Sequence, residues 1–120
     1  MSPTAKVLNH HLEAFGSGDV EGIVSDYSED SVILTQGGAL KGLDAIRGAF
    51  TGMVAEFSKP GMTFEMLQMN IEGEVAFIIW KAETADNIYE LGTDTFVIRD
   101  GVIVSQTLCV VAKPKEAMAE

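Results

Sequence analysis

The sequence predicts an α+β domain, and three observations carry that reading. Apolar residues recur at helical spacing as far as Phe57, they fall in strand-length segments from Met62 onward, and turn residues punctuate both halves. Helices segregated from an antiparallel sheet define the class.

Leu8, His11, Leu12 and Phe15 share one face of a first helix, which Gly16-Ser17-Gly18 stops. Asp19 is a suitable N-cap for a second helix with Val20, Ile23, Val24 and Tyr27 on its stripe. Ser31 to Thr35 is β-branched and apolar, so it predicts a strand; after the turn at Gln36-Gly37-Gly38-Ala39, Leu40-Lys41 begins a short return. A third helix, N-capped by Asp44, places Ile46, Phe50, Met53, Val54 and Phe57 on one face and ends at Lys59-Pro60-Gly61. Four strands follow over 62–71, 74–84, 88–98 and 102–112, closed by Glu72-Gly73, Asp86-Asn87 and Asp100-Gly101. Three consecutive hairpins make an antiparallel meander. Such long strands curl around a helix and leave a concave, mostly apolar inner face suited to a small ligand.

At 120 residues the chain is expected to form one domain over 1–120, with 113–120 a frayed tail. Apolar residues make up 47%, enough for a core that needs no disulfide or metal. With 8 Lys plus Arg against 18 Asp plus Glu, the formal net charge is −10, which argues against nucleic acid and anionic membrane surfaces as partners. Cys109 stands alone and no segment is apolar enough to span a bilayer, so a soluble cytoplasmic protein is expected. No nucleotide-binding, nucleophile-elbow or metal-ligating motif occurs, so no cofactor and no metal are expected.

Leu12-Glu13-Ala14-Phe15 with Gly18-Asp19, then Tyr27 to Val32, then Gly42-Leu43-Asp44-Ala45-Ile46, then Asp94 to Val104, form an ordered set of motifs. In order and spacing the chain resembles the nuclear transport factor 2-like superfamily over residues 5–112, in particular its SnoaL-like and ketosteroid-isomerase-like members. The resemblance implies a cone: a curved sheet wrapped around helices, with an internal pocket. It also implies a homodimer across the outer face of the sheet, where Thr93, Thr95, Val97, Ser105, Thr107, Cys109 and Val111 are expected. Family members include isomerases, cyclases, dehydratases and non-catalytic domains, so the fold leaves function open.

The resemblance also points to residues. His11 matches the isomerases' hydrogen-bond-donating tyrosine; its stripe alone favours a buried core histidine, while His10 points about 100° away around the helix. Asp94 matches the aspartic acid those enzymes keep protonated in an apolar pocket, itself a standard case of a carboxylic acid held neutral by its surroundings. On the strand pattern alone Asp94 either faces the pocket or is solvated on the outer face, with Glu90 on its own face at the rim. The match to the isomerases puts Gln106 and Leu108 on the inner face of the last strand, with Val104, and Ile103 on the outer one; by strand alternation alone Gln106 either orients a ligand or faces solvent. The position of the isomerases' proton-abstracting aspartate holds Thr35, followed by Gln36, and neither is a base at neutral pH. Acid–base chemistry therefore falls to His11 with Asp94 as a coupled dyad, either an ion pair or two neutral partners. Thr35, Gln36 and Gln106 are then ligand-orienting groups. Trp80 and Phe57 are apolar walls or core, and Tyr27 is a ligand donor or an aromatic plug at the mouth. The expected function is binding of a compact apolar carbonyl or hydroxyl compound, with isomerase-, lyase- or hydratase-type chemistry. The alternative is a non-catalytic ligand-binding or protein-association domain.

Overall fold

The computed structural model of the chain describes residues 2–115. Among them lie helices α1 (Pro3–Gly16), α2 (Val20–Val24) and α3 (Gly42–Phe57), and strands β1 (Val32–Thr35), β2 (Gly38–Lys41), β3 (Thr63–Glu72), β4 (Val75–Glu83), β5 (Asn87–Arg99) and β6 (Val102–Pro114). The α+β cone is as expected: the strands form one curved, unclosed sheet in the order β2-β1-β6-β5-β4-β3, wrapped over the helices. β3 to β6 are the antiparallel meander. The pairing of β1 with β6 is parallel, a long-range contact that hairpin signals do not report.

Helix ends follow local chemistry. The Ser2 side chain accepts from the Ala5 N–H at 3.1 Å with Pro3 at the first helical position, and Asp19 accepts from the Gly22 N–H at 2.9 Å. Each such cap contributes about 1 kcal/mol. Asp44, expected as the cap of α3, instead sits in its first turn, and Lys41 holds the cap position. Gly42, at φ 83°, turns β2 directly into the helix, so no separate capping residue intervenes. There Asp44 still complements the positive end of the helix dipole.

Apart from Ile103, expected on the outer face, the core is the expected set. Leu8, Ile23, Ile46, Phe96 and Ile103 are fully buried, with Ile33 and Phe50 beside them. Each contributes about 1.5–3 kcal/mol by leaving water. The Glu56 carboxylate holds the end of α3 to the β4–β5 hairpin, accepting from Thr84 Oγ1 at 2.6 Å, Asn87 Nδ2 at 2.9 Å and the Tyr89 hydroxyl at 2.9 Å.

Three strand expectations change. The register shifts between Tyr89 and Leu91 in β5, so Tyr89 turns inward against Phe57 and Trp80. Glu90, expected beside Asp94, instead pairs with Lys113 at 2.9 Å on the exposed side. A second shift pairs Ile98 with Ile103, so Ile103 is the buried residue and Val104 is not. β6 runs past Ala112 to Pro114, while 116–120 of the expected tail lie outside the described residues.

Candidate functional site

The concave face of the meander, closed over by α1 and α3, encloses a cavity of about 580 Å³. Five phenylalanines and a tryptophan line it: Phe15, Phe50, Phe57, Phe64, Phe96 and Trp80. Phe64 and Met62 remain partly exposed beside Lys59 at the mouth. Such a volume and such walls suit an apolar small molecule.

The polar groups on the sheet side of the cavity form one network. Asp94 and Gln106 come from the neighbouring strands β5 and β6, and Trp80 from β4 on the other side of β5. Trp80 Nε1 donates to Asp94 Oδ1 at 2.8 Å, and Gln106 Nε2 donates to Asp94 Oδ2 at 2.9 Å. Behind them the buried Tyr27 hydroxyl donates to Gln106 Oε1. Burial pushes the Asp94 carboxyl up to about 6, against the opposing pull of the two N–H donors. Burial, helped by the nearby Asp94 and Asp26, raises the Tyr27 hydroxyl well above its ordinary range.

The helical wall is different. His11 lines the same cavity and is 5% exposed, packed edge-on against Tyr27, Phe50 and Phe96. Its Nδ1 is sealed and has no hydrogen-bond partner. Burial lowers the imidazole to about 4, with His10 adding a little. His10 points away and pairs with Asp26 at 2.7 Å.

The structure therefore brings His11, Asp94, Phe57, Trp80, Gln106 and Leu108 to one cavity. It does not make the expected dyad: among the described residues no hydrogen bond joins His11 to Asp94; the donors to the carboxylate are Trp80 and Gln106, and His11 Nδ1 has no partner. Nor does their ion pair form, since burial holds the imidazole neutral. Tyr27 is neither ligand donor nor plug; it lies behind the wall and orients Gln106.

Thr35 and Gln36 are outside the cavity lining. The Thr35 hydroxyl donates to the Gly38 carbonyl at 3.0 Å and accepts from the Gly37 N–H, closing the β1–β2 turn. Gln36 holds the backbone N–H and carbonyl of Val110, both at 2.8 Å. Both side chains are spent on backbone, Thr35 on its own turn and Gln36 on β6.

One determinant escaped the sequence. Gly92 faces Trp80 across β4 and β5, and a Cβ there would lie 2.2 Å from the indole. The missing side chain is what lets the ring lie on the sheet and reach Asp94. A glycine opposite a tryptophan is the signal, visible only once register is known.

No group of three or more His, Cys, Asp or Glu among the described residues is placed to hold a metal ion, and no helix among them is long and apolar enough to cross a membrane.

The SnoaL-like domain family matches residues 8–106. No curated protein sequence matches the chain. Among solved structures, an epoxide hydrolase/cyclase-like enzyme with a role in pyran ring formation in the polyether salinomycin superposes with a TM-score of 0.76 at 19% identity, covering 90% of each chain. A polyketide cyclase assigned as such in Sinorhizobium meliloti superposes at 0.70 with 18% identity, covering 90% of this chain and 99% of that one. A nuclear transport factor 2-like protein from Mesorhizobium loti superposes at 0.73 with 19% identity and 91% of each chain covered. At these identities the likeness shows the fold alone.

Proposed function

The chain belongs to the SnoaL-like domain family, within the nuclear transport factor 2-like superfamily, and on that premise we propose that it binds a compact, largely apolar small molecule and exchanges a proton with it through Asp94. The observation that carries this reading is the Asp94 carboxyl, buried in an apolar cavity, held by two N–H donors and poised at about 6. A group titrating near the working pH passes a proton either way with little loss of driving force. The chemistry this supports is isomerase-, lyase- or hydratase-type, beside a ligand carbonyl or hydroxyl and without a cofactor. His11 stays neutral and shapes the helical wall, and Phe57, Trp80 and Leu108 bear on the apolar frame of the ligand.

A second reading, a ligand-binding or association domain without catalysis, is favoured by the missing His11–Asp94 contact. A screen of apolar carbonyl and hydroxyl compounds, followed by NMR of the cavity residues, separates the readings. The catalytic reading expects a compound that shifts the Trp80 indole N–H and whose proton exchange with solvent falls at least about a hundredfold in Asp94→Asn with binding retained. Binding with exchange unchanged in that variant contradicts it, and shifts confined to the outer face contradict both.

Pairing across the sheet also belongs to this reading. Thr93 opposite Cys109, Thr95 opposite Thr107 and Val97 opposite Ser105 give the outer face an uncharged, weakly polar surface, with Leu34 and Val111 about half exposed on it. A homodimer would bury that surface against its own copy. Sedimentation equilibrium showing a 12.9 kDa species at micromolar concentration contradicts it. The lone exposed Cys109 fits a cytoplasmic setting.

A further inference from the structure

Every hydrogen bond around Asp94 runs in the same direction. Tyr27 donates to Gln106, Gln106 donates to Asp94, and Trp80 donates to Asp94 from the other side. The direction is locked. An indole N–H only donates. If the Gln106 amide turned over, its oxygen would face a carboxylate oxygen, and the buried Tyr27 hydroxyl would lose its acceptor. The network thus ends in acceptors. A carboxylate has about four lone-pair sites, and the network fills two of them.

Nothing on the cavity wall supplies a positive charge for this carboxylate. His11 is held neutral, and Lys59 at the mouth is engaged by Asp86 at 2.7 Å. Ring faces such as those of Trp80, Phe57 and Phe64 attract cations, and the net charge of −10 draws them toward the protein. We propose that the cavity takes an apolar ligand through a hydrogen-bond donor, a hydroxyl or a protonated amine, seated on the Asp94 carboxylate, and that a carbonyl compound of the same frame is the poorer ligand while that carboxylate is ionised. The proposal rests on the reading of the cavity as a ligand site and chooses among the ligands that reading admits.

The preference reverses with protonation. A protonated Asp94 cannot aim its O–H at the Trp80 or Gln106 N–H groups, so the proton points into the cavity and meets a ligand carbonyl. Asp94 crosses this point at about 6. The other titratable groups around it do not change between pH 5 and 8: Tyr27 on the chain after α2 is raised well above its ordinary range, His11 on α1 lies at about 4, and Lys59 after α3 is raised by Asp86. Asp26 lies behind Tyr27, bonded to His10 outside the cavity, and the His10 pKa is raised by that contact.

The test uses 2-naphthylmethanol, 2-naphthylmethylamine and 2-acetonaphthone, which share an apolar frame and differ in the polar group. Binding is read from the Trp80 indole N–H in NMR titrations at pH 8 and pH 5. At pH 8 at least one donor compound binds about tenfold tighter than the ketone, the amine and alcohol arms showing whether charge adds to the donor. At pH 5 the amine weakens by about tenfold, one pH unit below the Asp94 midpoint, and the ketone gains. His10→Gln leaves this order unchanged. Asp94→Asn removes the amine preference. Should Asn at this position unfold the chain, Gln106→Met keeps the acid, removes one donor and moves the reversal to higher pH. A ketone that binds as tightly as both donor compounds at pH 8 overturns the proposal and leaves the cavity reading standing. Failure of all three to move the Trp80 signal overturns both.

Discussion

The sheet wall and the helical wall of the cavity each bury one ionisable side chain, and the two are treated in opposite ways. Asp94, 7% exposed, has a donor on each oxygen and titrates at about 6. His11, 5% exposed, has aromatic edges around it and an orphaned Nδ1, and titrates at about 4. Burial drives both toward their neutral forms. For the acid that means a pKa moved up into the working range; for the imidazole it means a pKa moved down and out of it. Similar burial thus brings one group to a charge change near neutrality and leaves the other an uncharged wall.

The largest effect expected from breaking this contrast comes from Gly92→Ala. A methyl group 2.2 Å from the indole forces Trp80 off the sheet and with it the bond to Asp94. Overpacking and a lost bond to a buried acid together amount to about 4 kcal/mol. A urea melt displaced by less than about 1 kcal/mol would show that the ring does not need the space.

Next is pH dependence. A raised acid pKa makes the folded state lose stability as pH rises, here from about 4 to about 6. A lowered histidine pKa makes it lose stability as pH falls, here from the ordinary 6.5 to about 4. Between those limits the unfolded chain holds its proton on His11 and the folded chain holds one on Asp94, so the two slopes cancel. Asp94→Asn removes one of them. Relative to the parent, the variant then loses about 3 kcal/mol more on going from pH 6.5 to pH 4. A difference curve flat in pH would contradict the assignment of Asp94, and a variant whose own stability does not fall from pH 6.5 to pH 4 would contradict that of His11.

A smaller change sharpens the sheet side. Tyr27→Phe leaves Gln106 Oε1 without its donor, at about 1–2 kcal/mol of stability, and frees the amide to turn over. The turned amide suits the protonated acid, so the Asp94 midpoint moves upward. A downward or absent movement, followed by the carboxyl carbon shift, would show that Tyr27 does not set the direction of the network.

The same contrast marks how much the sequence made legible. Alternation on β5 and β6 set which residues share a face with Asp94 and Gln106, the family resemblance chose that face as the inner one, and helical periodicity placed His11 on the buried stripe. Alternation and periodicity are local patterns with fixed geometry. The partners of each group depend on register, and register was altered by shifts at Tyr89/Leu91, Trp80/Ala82 and Val97/Ile98. Tyr89, Ile103 and the Gly92–Trp80 contact were hidden for that reason. The dyad failed for another: two residues placed by separate elements can line one cavity without meeting in a hydrogen bond. Thr35, matched by position to a catalytic place, turned to the backbone of its own turn, as short polar side chains near a hairpin do, and Gln36 after it reached across to the backbone of β6, a contact between distant segments.

The central claim is that burial separates the two titrations and that Asp94 alone changes charge near neutrality. Its most direct test is one NMR titration following the Asp94 carboxyl carbon and the His11 ring protons in the same sample. The predicted result is an Asp94 midpoint at about 6 and a His11 ring still neutral until about 4. A His11 midpoint at the ordinary 6.5, or an Asp94 midpoint at the ordinary 3.8, would contradict it.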